Sequence, residues 1–149
     1  MTSERQYCTF TVGGGCYGLE VRRVQEIVGR QAMTRVPLAP LEVSGLINLR
    51  GRIVAAIDLR RKLGMPGRTL DDPVVNVVVT TDEGAISLLA DEIGDVLAVP
   101  DADFEPAPET CRSAARAFTL GAFKLPDRLL LALDIDKIIA ITTNQNATI

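Results

Sequence analysis

Residues 36–64, VPLAPLEVSGLINLRGRIVAAIDLRRKLG, write strand, turn, strand and helix in succession. Gly45 to Leu49 is an apolar segment, Arg50-Gly51-Arg52 turns the chain, and Ile53 to Ile57 is a second apolar run of strand length. Together they predict a β-hairpin. Asp58 then stands where a helix N-cap belongs, and Leu59 and Leu63 fall on one helical face. Arg60, Arg61 and Lys62 approach the negative helix end, and Gly64, with Pro66 beyond it, supplies the stop.

Outward from this stretch the pattern is mostly that of strands. Tyr7 to Val12 alternates, with Cys8, Phe10 and Val12 on one face, and Gly13-Gly14-Gly15 turns it into a second strand from Cys16 to Glu20. In Val21 to Val28 the apolar positions Val21, Val24, Ile27 and Val28 share a helical face, which predicts a short helix capped by Gly29, with Glu26 on its exposed side. Val74 to Thr80, Ala85 to Ala90 and Ile93 to Val99 read as further strands, while Pro100, Pro106 and Pro108 mark a loop. Phe118 to Leu125 and Leu129 to Leu133 form a last hairpin, with Asp134 capping a terminal helical turn through Ile139. The polar tail from Thr142 to Ile149 is expected to fray.

The chain repeats itself weakly. Laying Gly45 to Asp58 over Gly121 to Asp134 without a gap matches Gly45 with Gly121, Leu49 with Leu125, Arg52 with Arg128, Ala56 with Ala132 and Asp58 with Asp134. One hairpin unit used twice implies two similar β-subdomains.

Composition narrows the function. At 149 residues the chain is the size of a single domain and needs no staples to hold a core. Cys8, Cys16 and Cys111 show no CxxC spacing, which fits reduced thiols and a cytoplasmic location. No apolar run approaches the ~20 residues that span a bilayer, so direct membrane insertion is not expected. A net charge of -3 with interspersed signs, and no Trp, give no nucleic-acid footprint. The chain contains no histidine, and so lacks the commonest general base and the commonest metal ligand at once. That favours a binding protein, with no catalytic residue, metal or cofactor.

Motifs that could carry chemistry fail in their context. Gly13, Gly15 and Gly18 spell G-x-G-x-x-G, but Cys16, Tyr17 and Leu19 extend a strand where a dinucleotide fold needs a helix, and Arg35 to Pro40 contains no acid for a ribose. Asp101, Asp103 and Glu105 alternate like calcium ligands, yet Pro106 replaces the required glycine and Arg112 the bidentate glutamate. Asp91, Glu92 and Asp95 form a candidate carboxylate cluster with no nucleophile beside it. It leaves open a carboxylate-dependent enzyme or a small-ligand-binding β-barrel as the rival to an adaptor.

Several segments, in combination and order, resemble the CheW family of chemotaxis coupling proteins. These are Val24-Gln25-Glu26-Ile27, the S-G-L-I-N-L-R-G hairpin, Asp58-Leu59-Arg60, the stretch from Ala90 to Leu97, Pro106-Ala107-Pro108-Glu109 and Asp127-Arg128. The resemblance runs from Tyr7 to about Ile139. It implies an all-β domain with short helices, built of two small SH3-like five-stranded β-barrels packed together. It further implies a non-enzymatic adaptor that joins the cytoplasmic tip of a methyl-accepting chemoreceptor to the regulatory domain of a CheA-type histidine kinase, in chemotaxis or in a non-flagellar pathway. By that likeness Glu26 and Arg50 lie close together near a receptor groove, and Val24, Ile27, Gly45, Ile93 and Val96 belong to the partner-binding surface. A bulky acidic residue at Gly45 should then block a partner and spare the fold. Where relatives often carry an aromatic for lateral contact after P-x-P-E, this chain has Thr110. No receiver domain follows, so a CheV-type fusion is not expected.

Overall fold

The computed structural model describes residues 3–111 and 113–140. The tail expected to fray, and Arg112, lie outside them. Ten strands alternate with short helical turns. The strands are β1 (Glu4–Val12), β2 (Gly15–Glu20), β3 (Val24–Val28), β4 (Val43–Leu49) and β5 (Arg52–Asp58), then β6 (Val75–Thr81), β7 (Gly84–Ala90), β8 (Glu92–Pro100), β9 (Thr119–Lys124) and β10 (Leu129–Leu133). Helix α1 (Leu59–Lys62) follows β5, α2 (Ser113–Ala117) precedes β9, and α3 (135–140) follows β10.

They form two five-stranded sheets, ordered β8-β1-β2-β10-β9 and β3-β6-β7-β5-β4. The chain leaves the first sheet after β2, builds the whole of the second, and returns through β8. Neither ladder closes by hydrogen bonds between its edge strands among the described residues, so each unit is an SH3-like open sheet. A shared apolar core joins them, with Phe10, Tyr17, Leu131 and Leu133 from one sheet packed with Ile57, Val77, Val79 and Leu88 from the other. Burial of this apolar surface is what holds two otherwise marginal sheets together.

The weak sequence repeat is a repeat of structure. Gly45 pairs with Ala56 across β4 and β5, and Gly121 pairs with Ala132 across β9 and β10. Each hairpin then adds in parallel to the next, β5 to β7 and β10 to β2. A bulge interrupts β4 between Val43 and Gly45, and another shifts the β9/β10 register at the corresponding place, between Leu133 and Ala132. An isolated bridge flanks each glycine, Thr34 to Leu46 and Glu105 to Ala122. The caps repeat as well: the Asp58 side chain accepts from Arg60 N at 3.0 Å, and the Asp134 side chain from Lys137 N at 3.2 Å.

One expected element differs. Residues 21–28 form a 3-10 turn, Val21–Arg23, followed by strand β3, where the spacing predicts a helix. Val21, Val24, Ile27 and Val28 are β-branched, which costs them side-chain freedom in a helix and favours a strand. The edge of β6 supplies the ladder: Val24 pairs with Val79 and Glu26 with Val78, across a bulge at Gln25. Gly29 therefore caps no helix, and its carbonyl accepts from Asn76 Nδ2 at 2.9 Å.

Candidate functional site

Edge strand β3 carries Glu26, and the β4–β5 turn carries Arg50. Arg50 and Gly51 are the two central residues of that turn and both have positive φ, 53° and 87°, the type I′ geometry whose twist matches antiparallel strands. Asn48 supports it by accepting from Gly51 N at 2.8 Å. Left-handed backbone is uncommon for an arginine, and here it directs the side chain across the open sheet to β3. Arg50 Nη1 donates to Glu26 Oε2 at 3.0 Å and Nη2 to Oε1 at 2.6 Å. This fork holds the two ends of one curled sheet together, since β3 and β4 are its opposite edges. The Glu26 side chain is largely covered, whereas Arg50 remains 76% exposed and free to meet a partner.

Four of the other expected site residues occupy matching places on two edge strands. One row crosses the second sheet as Glu26, Val78, Ser87, Ala56 and Gly45. The equivalent row in the first sheet runs through Thr9, Gly18, Ala132 and Gly121, and Thr9 Oγ1 donates to the carbonyl of Asp95 on β8 at 2.6 Å. By this register Asp95 corresponds to Glu26, Ile93 to Val24 and Val96 to Ile27. Ile27, Ile93 and Val96 are exposed, and Val24 packs its side chain on the shared core. Apolar side chains exposed on a strand edge are a surface suited to protein contact.

Gly45 is buried and faces inward. A Cβ built there would lie 2.5 Å from the carbonyl oxygen of Thr34 and 2.7 Å from Met33 Cγ. A side chain at this position must displace the 30–36 loop, so an acidic replacement would not spare the fold as the sequence suggests.

A second cluster of charged groups lies where the chain passes from β7 back to β8. Asp91 is buried there, and its Oδ1 accepts from Arg60 Nε at 2.9 Å and from Arg68 Nη2 at 2.6 Å. Its Oδ2 accepts from Gly13 N at 2.8 Å, in the β1–β2 turn of the other sheet. Arg68 also donates to Asp58 at 2.7 Å, and Arg60 to Asp72 at 3.1 Å. Burial alone would push the Asp91 carboxyl up, but the bonds from Arg60, Arg68 and Gly13 outweigh it and hold it below the usual carboxylate range. Glu92 and Asp95 are exposed on β8 and do not join Asp91. Among the described residues no three acidic or cysteine side chains gather at metal-binding distance.

The family model of the CheW-like domain matches residues 6–142. The chain belongs to the CheW-like family. It is 33% identical to chemotaxis protein CheW of Klebsiella aerogenes over 93% of its own length and 84% of that protein. Against chemotaxis protein CheW of Bacillus subtilis it is 30% identical over 93% of this chain and 88% of the relative. It also superposes on the crystal structure of the scaffolding protein TtCheW from Thermoanaerobacter tengcongensis with a TM-score of 0.77, at 26% identity and covering 88% and 89% of the two chains. As a CheW-like protein it is an adaptor of chemotaxis signalling and not an enzyme. No helix among the described residues is long and apolar enough to cross a membrane.

In this CheW-like chain the structure joins Glu26 to Arg50 and puts Val24 and Ile27 beside them, on one strand. Ile93 and Val96 stand on the edge of the other sheet. Sequence reasoning missed the Arg60, Arg68 and Asp91 cluster. Arg60 reads as a helix-end charge and Asp91 as one of a carboxylate cluster with Glu92 and Asp95, and nothing local in the sequence says that Arg60, Arg68 and Asp91 meet.

Proposed function

We propose that this chain couples the cytoplasmic tip of a methyl-accepting chemoreceptor to the regulatory domain of a CheA-type histidine kinase, and is recruited by these partners to receptor arrays at the membrane. The contact surface consists of Glu26, Ile27 and Arg50 on one sheet and Ile93 and Val96 on the other, with Val24 and Gly45 beneath it. Gly45 contributes by letting the 30–36 loop close against β4. The observation that carries this reading is the forked Arg50–Glu26 pair on an edge strand with apolar neighbours. Such a pair, one member largely in solvent, adds only about 0–1 kcal/mol to folding. Its value lies in presenting a charge at a defined place, which suits recognition.

The test is a double-mutant cycle on receptor-fragment binding and melting temperature. Arg50→Glu should weaken binding at least tenfold with little change in melting, and adding Glu26→Arg should restore part of the affinity. Strictly additive losses, or binding untouched by Arg50→Glu, would remove the pair from the contact.

A further inference from the structure

We propose that Asp91 is a positioning residue for the receptor contact. Clamped by Arg60, Arg68 and the Gly13 amide, it fixes the angle between the two sheets and hence the placement of Ile93 and Val96 relative to Val24 and Ile27. This deepens the proposed function and rests on it for the identity of the contact residues.

The geometry is that of a three-way junction. Asp91 is the residue between β7 and β8, the point where the chain returns from the second sheet to the first. Its amide donates to Thr11 O at 2.8 Å and its Oδ2 accepts from Gly13 N, so both ends of the residue are tied to the β1–β2 hairpin. Its Oδ1 is tied to Arg60 of α1 and to Arg68 in the loop beyond, which belong to the second sheet's side. Arg68 in turn bridges to Asp58, the cap of α1, through its other terminal nitrogen. One carboxylate thus carries bonds from both sheets, and the residue two positions on is Ile93.

The chemistry favours orientation over stability. Buried ion pairs lose in desolvation most of what they gain in attraction, and an apolar junction of the same volume would hold the sheets as firmly. What charged, forked bonds add is direction: a guanidinium meets a carboxylate in few geometries, whereas apolar faces slide. The cost is visible, because Arg68 Nε is buried without a hydrogen-bond acceptor. Three carboxylates, Asp58, Asp72 and Asp91, surround two guanidiniums, and Asp91 is the one acid that both arginines share.

The experiment uses the full chain with spin labels on Glu83→Cys and Asp127→Cys, at exposed turns of the two sheets, in a Cys111→Ser background. Distances between the labels and affinity for a receptor fragment are measured for the parent, Asp91→Asn and Asp91→Glu. In Asp91→Asn the distance distribution should broaden or shift, and receptor affinity should fall at least tenfold among folded molecules, with partial recovery in Asp91→Glu. Should Asp91→Asn fail to fold, Arg68→Lys is read in the same way, since it keeps the charge and removes the fork. An unchanged distance distribution in the variant that folds would overturn the proposal, as would a changed distribution with parental affinity. If Arg50→Glu leaves receptor binding intact while Asp91→Asn moves the labels, it is the assignment of the contact surface that fails, and the clamp on sheet angle stands.

Discussion

The two sheets share a strand plan and differ at one turn. Position 50, in the β4–β5 turn, is an arginine with φ of 53°; laid over it, position 126 in the β9–β10 turn is a proline. Proline holds φ near -65° and cannot enter the left-handed region. The Leu125–Arg128 turn is therefore closed with a different backbone, Leu125 N donating to Arg128 O at 2.8 Å, and Arg128 engages neighbouring Asp127 and the Cys16 thiol. Across the sheet, Asp95 stands at the place of Glu26, and no guanidinium among the described residues pairs with it. Register and bulges recur in both sheets because the backbone ladder enforces them, while among the described residues the forked Arg50–Glu26 pair is built on one of them.

Experiments that break or sharpen this contrast are ranked by size. The largest effect is expected at the junction. Asp91→Ala should cost about 3–5 kcal/mol in urea unfolding, because it leaves the Arg68 side chain buried and the half-buried Arg60 under-partnered. Asp95→Ala should stay within about 0.5 kcal/mol, since Asp95 is exposed. Equal losses would deny the junction its special place. The same group sets a pH dependence. The folded-state pKa of Asp91 is lowered, so its contribution is complete above the unfolded carboxylate value near ~4 and is lost as pH falls through the lower folded value. Melting curves from pH 6 to about 3 should show an acid loss of stability that is smaller in Asp91→Asn.

Next come the paired glycines. A Cβ at Gly45 would lie 2.5 Å from Thr34 O and one at Gly121 2.6 Å from Glu105 O, so alanine at either should cost about 1–3 kcal/mol. Similar costs would confirm that the repeat extends to the bridges; a neutral change at one glycine would break it there. Arg50→Pro copies one turn onto the other. It should destabilise by more than about 1 kcal/mol, because a proline cannot hold a positive φ, whereas Arg50→Ala should cost less and keep the turn. Thermal melts separate the two. The smallest effect is expected for Pro126→Ala, within about 0.5 kcal/mol, as Pro126 is exposed.

Much of the fold was legible because apolar alternation and turn chemistry are local. The β4–β5 hairpin, the Asp58 cap, the Gly64 stop with its φ of 81° and the final hairpin all follow from residues within a few positions of one another. The segment 21–28 was misread for the same reason. Its apolar spacing fits one helical face, and only the free edge of β6, far along the chain, tips it to a strand. Gly45 looked like an accessible interface position because nothing nearby in sequence says that Thr34 folds over it.

What the sequence determined by itself was the class of protein and the residue types at its site. Two similar hairpins, no histidine, a family pattern and an arginine in the Arg50-Gly51-Arg52 turn can be read from the sequence alone. The family likeness already brings Glu26 near Arg50; tertiary structure decided how they meet and which other charges do. Arg50 reaches Glu26 because the sheet curls its opposite edges together, and Asp91 gathers Gly13, Arg60 and Arg68 because the chain crosses between sheets at that residue. Ion pairs between groups so far apart in sequence depend on where folding brings their backbones, and periodicity carries no record of that.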